Sequence, residues 1–282
     1  MVARAQATDG GQGLERSFGV GLARAFGGAL LFALPMLMTM EMWELGSTMA
    51  RGRLLLLVLA LLPLLYGLAH FMGFEEADAF RQAAVDALVA FAVGVLSSAL
   101  FLFLFGLLTP QMCASEWVGR IALQAVPGSI GALLAQAQLG QGRGEEGRKR
   151  RQAGPAGEYF YLAAGALFLS LNMAPTEEMV LITYRMGPGR VLALALLSVA
   201  VMHAWVYALE FRGQEQMPEG TPRGGALWRY TVPGYAISLL ISAYVLWTFG
   251  SFDGMSFADM LQSSVVLGFP ASVGAAAARL IL

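Results

Sequence analysis

Apolar residues in this chain arrive in blocks of roughly 20, the length of helix that crosses a bilayer's hydrocarbon core. Inside lipid there is no water for backbone N–H and C=O groups, so only helices and closed β-barrels cross it. Barrel strands are shorter and alternate in polarity; these blocks do neither, and the chain reads as an all-α polytopic membrane protein. Composition agrees. Of 282 residues, 57% are apolar and only 13% charged, where a soluble domain carries about 25% charged residues. A net charge of −1 gives no electrostatic footprint for nucleic acid. With one cysteine, Cys113, no intrachain disulfide forms, and redox compartment goes unreported.

Eight spans are expected, near 23–45, 54–72, 84–108, 117–139, 159–182, 191–211, 227–249 and 257–282. The fourth is the weakest, because Arg120, Gln124, Gln136 and Gln138 interrupt it. Residues 1–22 read as a cytoplasmic tail, polar, Gly-rich and disordered by composition. Residues 23–139 and 158–282 are two membrane units, joined by a basic linker at 140–157 that holds Arg148, Lys149, Arg150 and Arg151. Cytoplasmic loops are enriched in Lys and Arg. With eight spans, only Arg51, Arg53, Arg120, Arg185 and Arg190 of the 18 basic residues fall outside, so both termini are expected in the cytoplasm. The basic run's simplest role is to fix that orientation, with anionic-lipid binding secondary.

The two membrane units look like copies. At an offset of 137, Gly28-Ala29-Leu30 meets Gly165-Ala166-Leu167. Leu34, Met36, Thr39, Glu41 and Met42 meet Leu171, Met173, Thr176, Glu178 and Met179. Met49, Gly52 and Arg53 meet Met186, Gly189 and Arg190. A second register, 143, aligns Pro127-Gly128-Ser129-Ile130-Gly131-Ala132 with Pro270-Ala271-Ser272-Val273-Gly274-Ala275, and Glu116 with Asp259. Apolar composition alone does not align Thr-x-Glu-Met and Gly-Arg. Four spans per copy give both copies one orientation, so a pseudo-twofold along the membrane normal is expected. The rival plan, an inverted pair of three-span units, requires that the fourth and eighth spans do not cross.

Chemistry concentrates where the first and fifth spans carry helix breakers. Pro35 precedes Thr39, Glu41 and Glu44; Asn172 and Pro175 precede Thr176, Glu177 and Glu178. Proline removes a backbone donor and obstructs the carbonyl four residues earlier. Carboxylates are costly in a span and mark ion pathways. Glu41 and Glu178, at equivalent places, are expected to face the interior and hold a cation or share a proton, with Thr39, Thr176 and Asn172 adding neutral oxygens. The competing reading is interfacial: all four glutamates lie late in their spans and reach the outer surface, Glu44 and Glu177 most readily. A second constellation pairs Tyr66 with His70 and His203 with Tyr207, each four apart on one helix face, in swapped order. It suits a proton relay or a plain interhelical hydrogen bond. Two histidines without a tight acidic cluster make a poor transition-metal site. The Pro127 and Pro270 motifs read as close packing, with a kink as the lesser role.

The segments Leu34-Pro35-Met36-Leu37-Met38-Thr39-Met40-Glu41-Met42-Trp43 and Asn172-Met173-Ala174-Pro175-Thr176-Glu177-Glu178-Met179 resemble those of a bacterial family of integral membrane proteins of unknown function, over residues 20–282. The resemblance implies a bacterial cytoplasmic membrane and no activity. Ala174-Pro175-Thr176-Glu177-Glu178 is also similar to the proline-then-glutamate break of cation/calcium exchanger repeats. Those repeats are inverted and five-span, so the likeness is one of mechanism.

The expected function is a channel or secondary transporter for a cation or proton, with the bilayer as its surroundings, no cofactor, and homo-oligomers open to it. The alternative is a membrane sensor, an accessory subunit or a non-transporting structural protein. An enzyme is not expected: there is no nucleophile elbow, HExxH pair or phosphate-binding glycine loop.

Overall fold

The computed structural model describes residues 2–72, 79–139, 155–205 and 227–281, and every regular element among them is helical. In chain order they are α1 (Val2–Leu37), α2 (Met40–Thr48), α3 (Arg51–Met72), α4 (Ala79–Leu104), α5 (Ala114–Leu139), α6 (Pro155–Met173), α7 (Glu177–Arg185) and α8 (Pro188–His203). A π-helical turn, Leu227–Thr231, then runs into α9 (Val232–Thr248), and α10 (Phe257–Ile281) follows. Among the described residues, five helices are long and apolar enough to cross a membrane by themselves, within α1, α3, α4, α5 and α10; α7 and α8 make a sixth if counted as one span bent by 118°. Outward-facing leucines and phenylalanines such as Leu31, Leu59, Leu88, Leu96, Phe103 and Leu240 give the bundle the apolar exterior that lipid requires.

Helices α5 and α10 are the hubs. α5 packs against α1, α2, α3 and α4, and α10 against α6, α7, α8 and α9. In their apolar windows 72% and 61% of residues are buried, against 39% in α3 and in α4. That burial explains why the fourth span looks weak in sequence. Protein surrounds it, so Gln124 is hydrogen-bonded inside the bundle rather than set against hydrocarbon. The crossings are close. A Cβ on Gly28 would strike the backbone of Gly131 and the Cβ of Ala135; one on Gly165 would strike Gly274 and Ala278. Small residues at a crossing let two backbones approach and gain dispersion contact.

Helix ends obey local rules. α4 and α9 stop at Gly106 (φ 70°) and Gly250 (φ 82°). Leu107 N–H reaches back to Leu102 O and Ser251 N–H to Leu246 O, the six-to-one bond of a Schellman end, whose left-handed residue favours glycine. Side chains cap the starts of α5 and α10: Cys113 N–H donates to the Glu116 carboxylate, while Asp259 N–H donates to Ser256 Oγ, which in turn donates to the Asp259 carboxylate. Glu116 and Asp259 are therefore first-turn acids of their helices.

Several expectations change. The first and fifth spans are not continuous: α1 ends at Leu37 and α6 at Met173, and each chain restarts as a nine-residue helix. Proline accounts for the second break, where Ala174, the residue before Pro175, has left the helical region; Pro35 instead lies inside the last turn of α1, where it removes the donor to the carbonyl four residues earlier. The polar N-terminal segment, expected to be disordered, is helical from Val2; it holds no proline before Pro35, and extending a formed helix costs little. α3 packs against α6, but among the described residues α8 makes no comparable contact with α1. Among the described residues the contacts between the halves therefore show no twofold, and the stretch of the sixth span that matches Phe71 of α3 lies outside them. The basic run at 148–151, the polar linker at 212–225 and the end of the sixth span lie outside the described residues.

Candidate functional site

The breaks are the most chemically loaded part of the described chain. Thr39 and Thr176 precede α2 and α7 with extended backbone (ψ 115° and 141°), and neither side chain caps its helix. Each hydroxyl turns back instead. Thr39 Oγ1 donates to Pro35 O (2.7 Å) and Thr176 Oγ1 to Met173 O (2.9 Å). Each hydroxyl oxygen, having donated its proton, keeps its lone pairs as acceptors. Asn172 donates its amide to Phe168 O (2.8 Å), which leaves its carbonyl oxygen as an acceptor.

The glutamates sit at the starts of the short helices. Glu41 is the second residue of α2, and Glu177 and Glu178 are the first and second of α7. Carboxylates there meet unpaired N–H groups and the positive end of the helix dipole. Glu41 is half-buried; Glu44, Glu177 and Glu178 are exposed. The structure does not bring Glu41 and Glu178 into one packed interface: α2 packs on α5 and α1, and α7 on α10. The interior placement expected for Glu178 is corrected accordingly. Its helix lies at the end of the bundle, folded away from α8 by 118°.

The two breaks differ in how their carbonyls are closed. In the first, Met36 O accepts from buried Gln124 (3.1 Å) and Leu37 O from the Trp43 indole (2.8 Å). With Thr39 on Pro35 O, the last turn of α1 has partners throughout. At offsets 137 and 143, Trp43 and Gln124 correspond to Val180 and Leu267, which have no donors. The second break therefore lacks the side chains that seal the first.

Cations gather at the same end. Arg51 donates to Gly46 O and Ser47 O (3.0 Å each), the last carbonyls of α2, where a positive charge complements the helix dipole. Arg120 donates to Ser47 Oγ and Leu107 O, both at 2.7 Å. In the second half Gln262 reaches Met186 O (2.8 Å) and Thr183 O, tying α7 to α10. Arg53 forms a bidentate pair with Asp253 at 2.7 and 2.9 Å and lies over the Trp247 ring. The hydrogen bonds from Arg53 hold the Asp253 carboxyl below its ordinary range.

The second constellation divides. Tyr66 and His70 stack with ring centroids 6.0 Å apart. His203 Nδ1 is 2.9 Å from Thr231 Oγ1 in the π-helical turn, and Tyr207 lies outside the described residues. Pro127 and Pro270 stay inside unbroken helices. Ser129 donates to Ala125 O and Ser272 to Phe269 O, and Ser129 packs against Gly94 of α4. These motifs serve packing.

Sequence reading passed over Trp43, Gln124 and Arg120 as site-shaping residues, and Asp86, a half-buried acid in the apolar part of α4 bonded to Gln82 (3.0 Å). The signal was present. Polar and charged side chains in an apolar span need a partner, and each was a candidate on that ground alone.

Among known proteins, residues 21–282 match a family model described as "Putative integral membrane protein (DUF2391)". No curated protein and no solved structure matches the chain.

Proposed function

The chain belongs to this DUF2391 family of integral membrane proteins, and from that premise we propose that it moves a small cation or proton across the bacterial cytoplasmic membrane. In this reading it is built from two tandem repeats of like orientation, each with four crossings, and both termini face the cytoplasm. The crossings are α1, α3, α4 and α5, then α6, α8, α9 with its π turn, and α10; α2 and α7 are short helices at the outer end. What supports the repeat is local detail. α2 and α7 share an offset of 137 at both ends, the starts of α5 and α10 are 143 apart, and both halves repeat the glycine crossing, the Schellman end and the capped hub helix.

The observation that carries the transport reading is the broken helix occurring twice with threonine at the break and glutamate two residues later. Interrupted helices at matching places in two repeats are where transporters hold ions, using helix C-terminal carbonyls. The second break is the assigned binding segment, because Trp43 and Gln124 already occupy the carbonyls of the first. There the carbonyls ending α6, the oxygens of Asn172 and Thr176, and the carboxylates of Glu177 and Glu178 form a hard, oxygen-rich ligand set suited to a cation. Glu41 and Glu44 play the lesser part, drawing cations to the outer end.

Flux into proteoliposomes, with a panel of alkali and divalent cations and pH gradients, tests the proposal. Glu178→Gln is expected to lower flux or shift its pH dependence more than Glu41→Gln, and Glu44→Gln least. If no cation or proton moves, or if both glutamine variants at 41 and 178 keep wild-type flux at every pH, transport through the break fails. An accessory or sensing role is then the reading left.

A further inference from the structure

We infer that the ion taken up at the second break is a proton, and that it crosses the second half along a buried seam of hydroxyls between α6, α8, α9 and α10. Both the ion and its route presuppose the transport reading above. The seam starts on α9. Thr231, Tyr235, Ser238 and Ser242 recur every three or four residues, so they share one helix face, and they are 1%, 9%, 0% and 0% exposed. Ser198 of α8 and Ser170 of α6 are enclosed with them, both 0% exposed. Contacts fix the arrangement. The Tyr235 hydroxyl lies beside Ser198, and a Cβ on Gly268 of α10 would be 3.8 Å from it. Ser170 follows Leu162 and Ala166 along one face of α6. Leu162 comes within 3.2 Å of the place of a Cβ on Gly234, the neighbour of Tyr235, and Leu162 and Ala166 share a core cluster with Tyr235.

Ser198, Ser238 and Ser242 donate along their own helices, to Leu194 O, Gly234 O and Ser238 O, as serines in packed helices do. Their oxygens remain acceptors. Two features go beyond packing. The Ser170 and Tyr235 hydroxyls are buried and form no hydrogen bond of ordinary geometry. An unpaired buried hydroxyl is costly and marks a place for a water or an ion. The first half, moreover, lacks the seam. Gly106 and Gly250, the left-handed ends of α4 and α9, set an offset of 144. Thr231, Tyr235 and Ser238 then match Ala87, Phe91 and Gly94, and at 137 Ser170 and Ser198 match Ala33 and Leu61. Ser242 alone has a hydroxyl counterpart, Ser98, itself buried and unpaired. Hydroxyls in series thus occur in the half whose break lacks sealing side chains, and not in the half closed by Trp43 and Gln124.

Their spacing selects the ion. α9 offers one hydroxyl per turn, about 5–6 Å apart. A divalent cation gathers about six to eight oxygens around itself, and an alkali ion a ring of them. A proton needs only hydrogen bonds in series, and a single water bridges each gap. At each step the proton bonds to a lone pair of one oxygen, and that oxygen passes its own proton to the next. One proton enters from the carboxylates at the break and one leaves at Thr231, whose Oγ1 is 2.9 Å from His203 Nδ1.

Proteoliposomes with a pH-sensitive dye inside and a valinomycin-set potassium diffusion potential read proton flux, with sodium and calcium uptake measured in parallel. The parent should move protons. Tyr235→Phe and Ser170→Ala each delete one unpaired hydroxyl, so thermal melts should show equal or raised stability. Proton flux should nevertheless fall by about tenfold, equivalent to about 1.4 kcal/mol at the barrier. Ser98→Ala, the matching deletion in the first half, should keep parental flux. Parental proton flux in both Tyr235→Phe and Ser170→Ala would assign the seam to packing and overturn the route. A parent that carries sodium or calcium but no protons overturns it too, as does an equal loss in Ser98→Ala. Each of these leaves transport at the break standing, whereas a parent that moves no ion removes the transport reading and the seam with it.

Discussion

Two adjacent glycines in α1 have opposite surroundings, which makes them a sharp test of how the halves hold together. Gly28 sits at the crossing with α5, where an added Cβ meets backbone; Gly27 has nothing within 4 Å. The second half gives the scale. A Cβ on Gly165 would lie 2.6 Å from the Ala278 Cβ and 2.7 Å from the Gly274 carbonyl carbon, while carbon atoms rest about 3.5–4.0 Å apart. The obstructing atoms are backbone or a methyl fixed to it, so the helices themselves must part by about 1 Å. Overpacking of this kind costs about 1–3 kcal/mol. Removing a helix-interior glycine returns roughly 0.5–1 kcal/mol. Gly28→Ala and Gly165→Ala should each lose about 1–2 kcal/mol net, and Gly27→Ala should be neutral or slightly stabilised. Unfolding in mixed micelles, followed by tryptophan fluorescence, reads the difference. If Gly28→Ala is as stable as Gly27→Ala, the close crossing is not there and the shared-crossing argument for the repeat loses its base.

Stability should also depend on pH through Asp253. Its carboxyl is held below the ordinary range by Arg53, so the pair's contribution is complete above the unfolded carboxyl value and is lost as pH falls through the lower folded one; Asp253→Asn should flatten that acid-side slope in thermal melts. Cys113 is exposed at the end of the bundle that also holds Arg51 and Arg120, so a membrane-impermeant maleimide should label it in intact cells while a cysteine placed at Gly147 stays protected. The reverse pattern would invert the orientation. Giving the first break the residues of the second, Trp43→Val with Gln124→Leu, should release Leu37 O and Met36 O. A cysteine at Thr39 should then react faster with a water-borne thiol reagent than in the parent, and an unchanged rate would show that those two side chains do not seal the break.

Much of this protein is written in short stretches of its sequence. Apolar blocks specify helices because lipid offers the backbone no other partner, and that needs no knowledge of neighbours. Gly106, Gly250 and Pro175 end helices through their own backbone restrictions, and the offsets of 137 and 143 are visible by alignment. What the sequence left open depends on partners far along the chain. Gln124 closes a carbonyl 88 residues away, and Arg53 finds its carboxylate 200 residues away. Hydrogen bonds of that reach exist only after helices pack, so a break closed by distant side chains and one without them look alike beforehand. The tertiary structure also decided that Glu178 faces outward and that Phe160 covers Gly67 while Leu31 stays bare. Positions 137 or 143 apart take different surroundings because a side chain's partners belong to distant helices: Trp43 and Gln124 close the first break, and Val180 and Leu267 at the matching places offer no side-chain donor to the second.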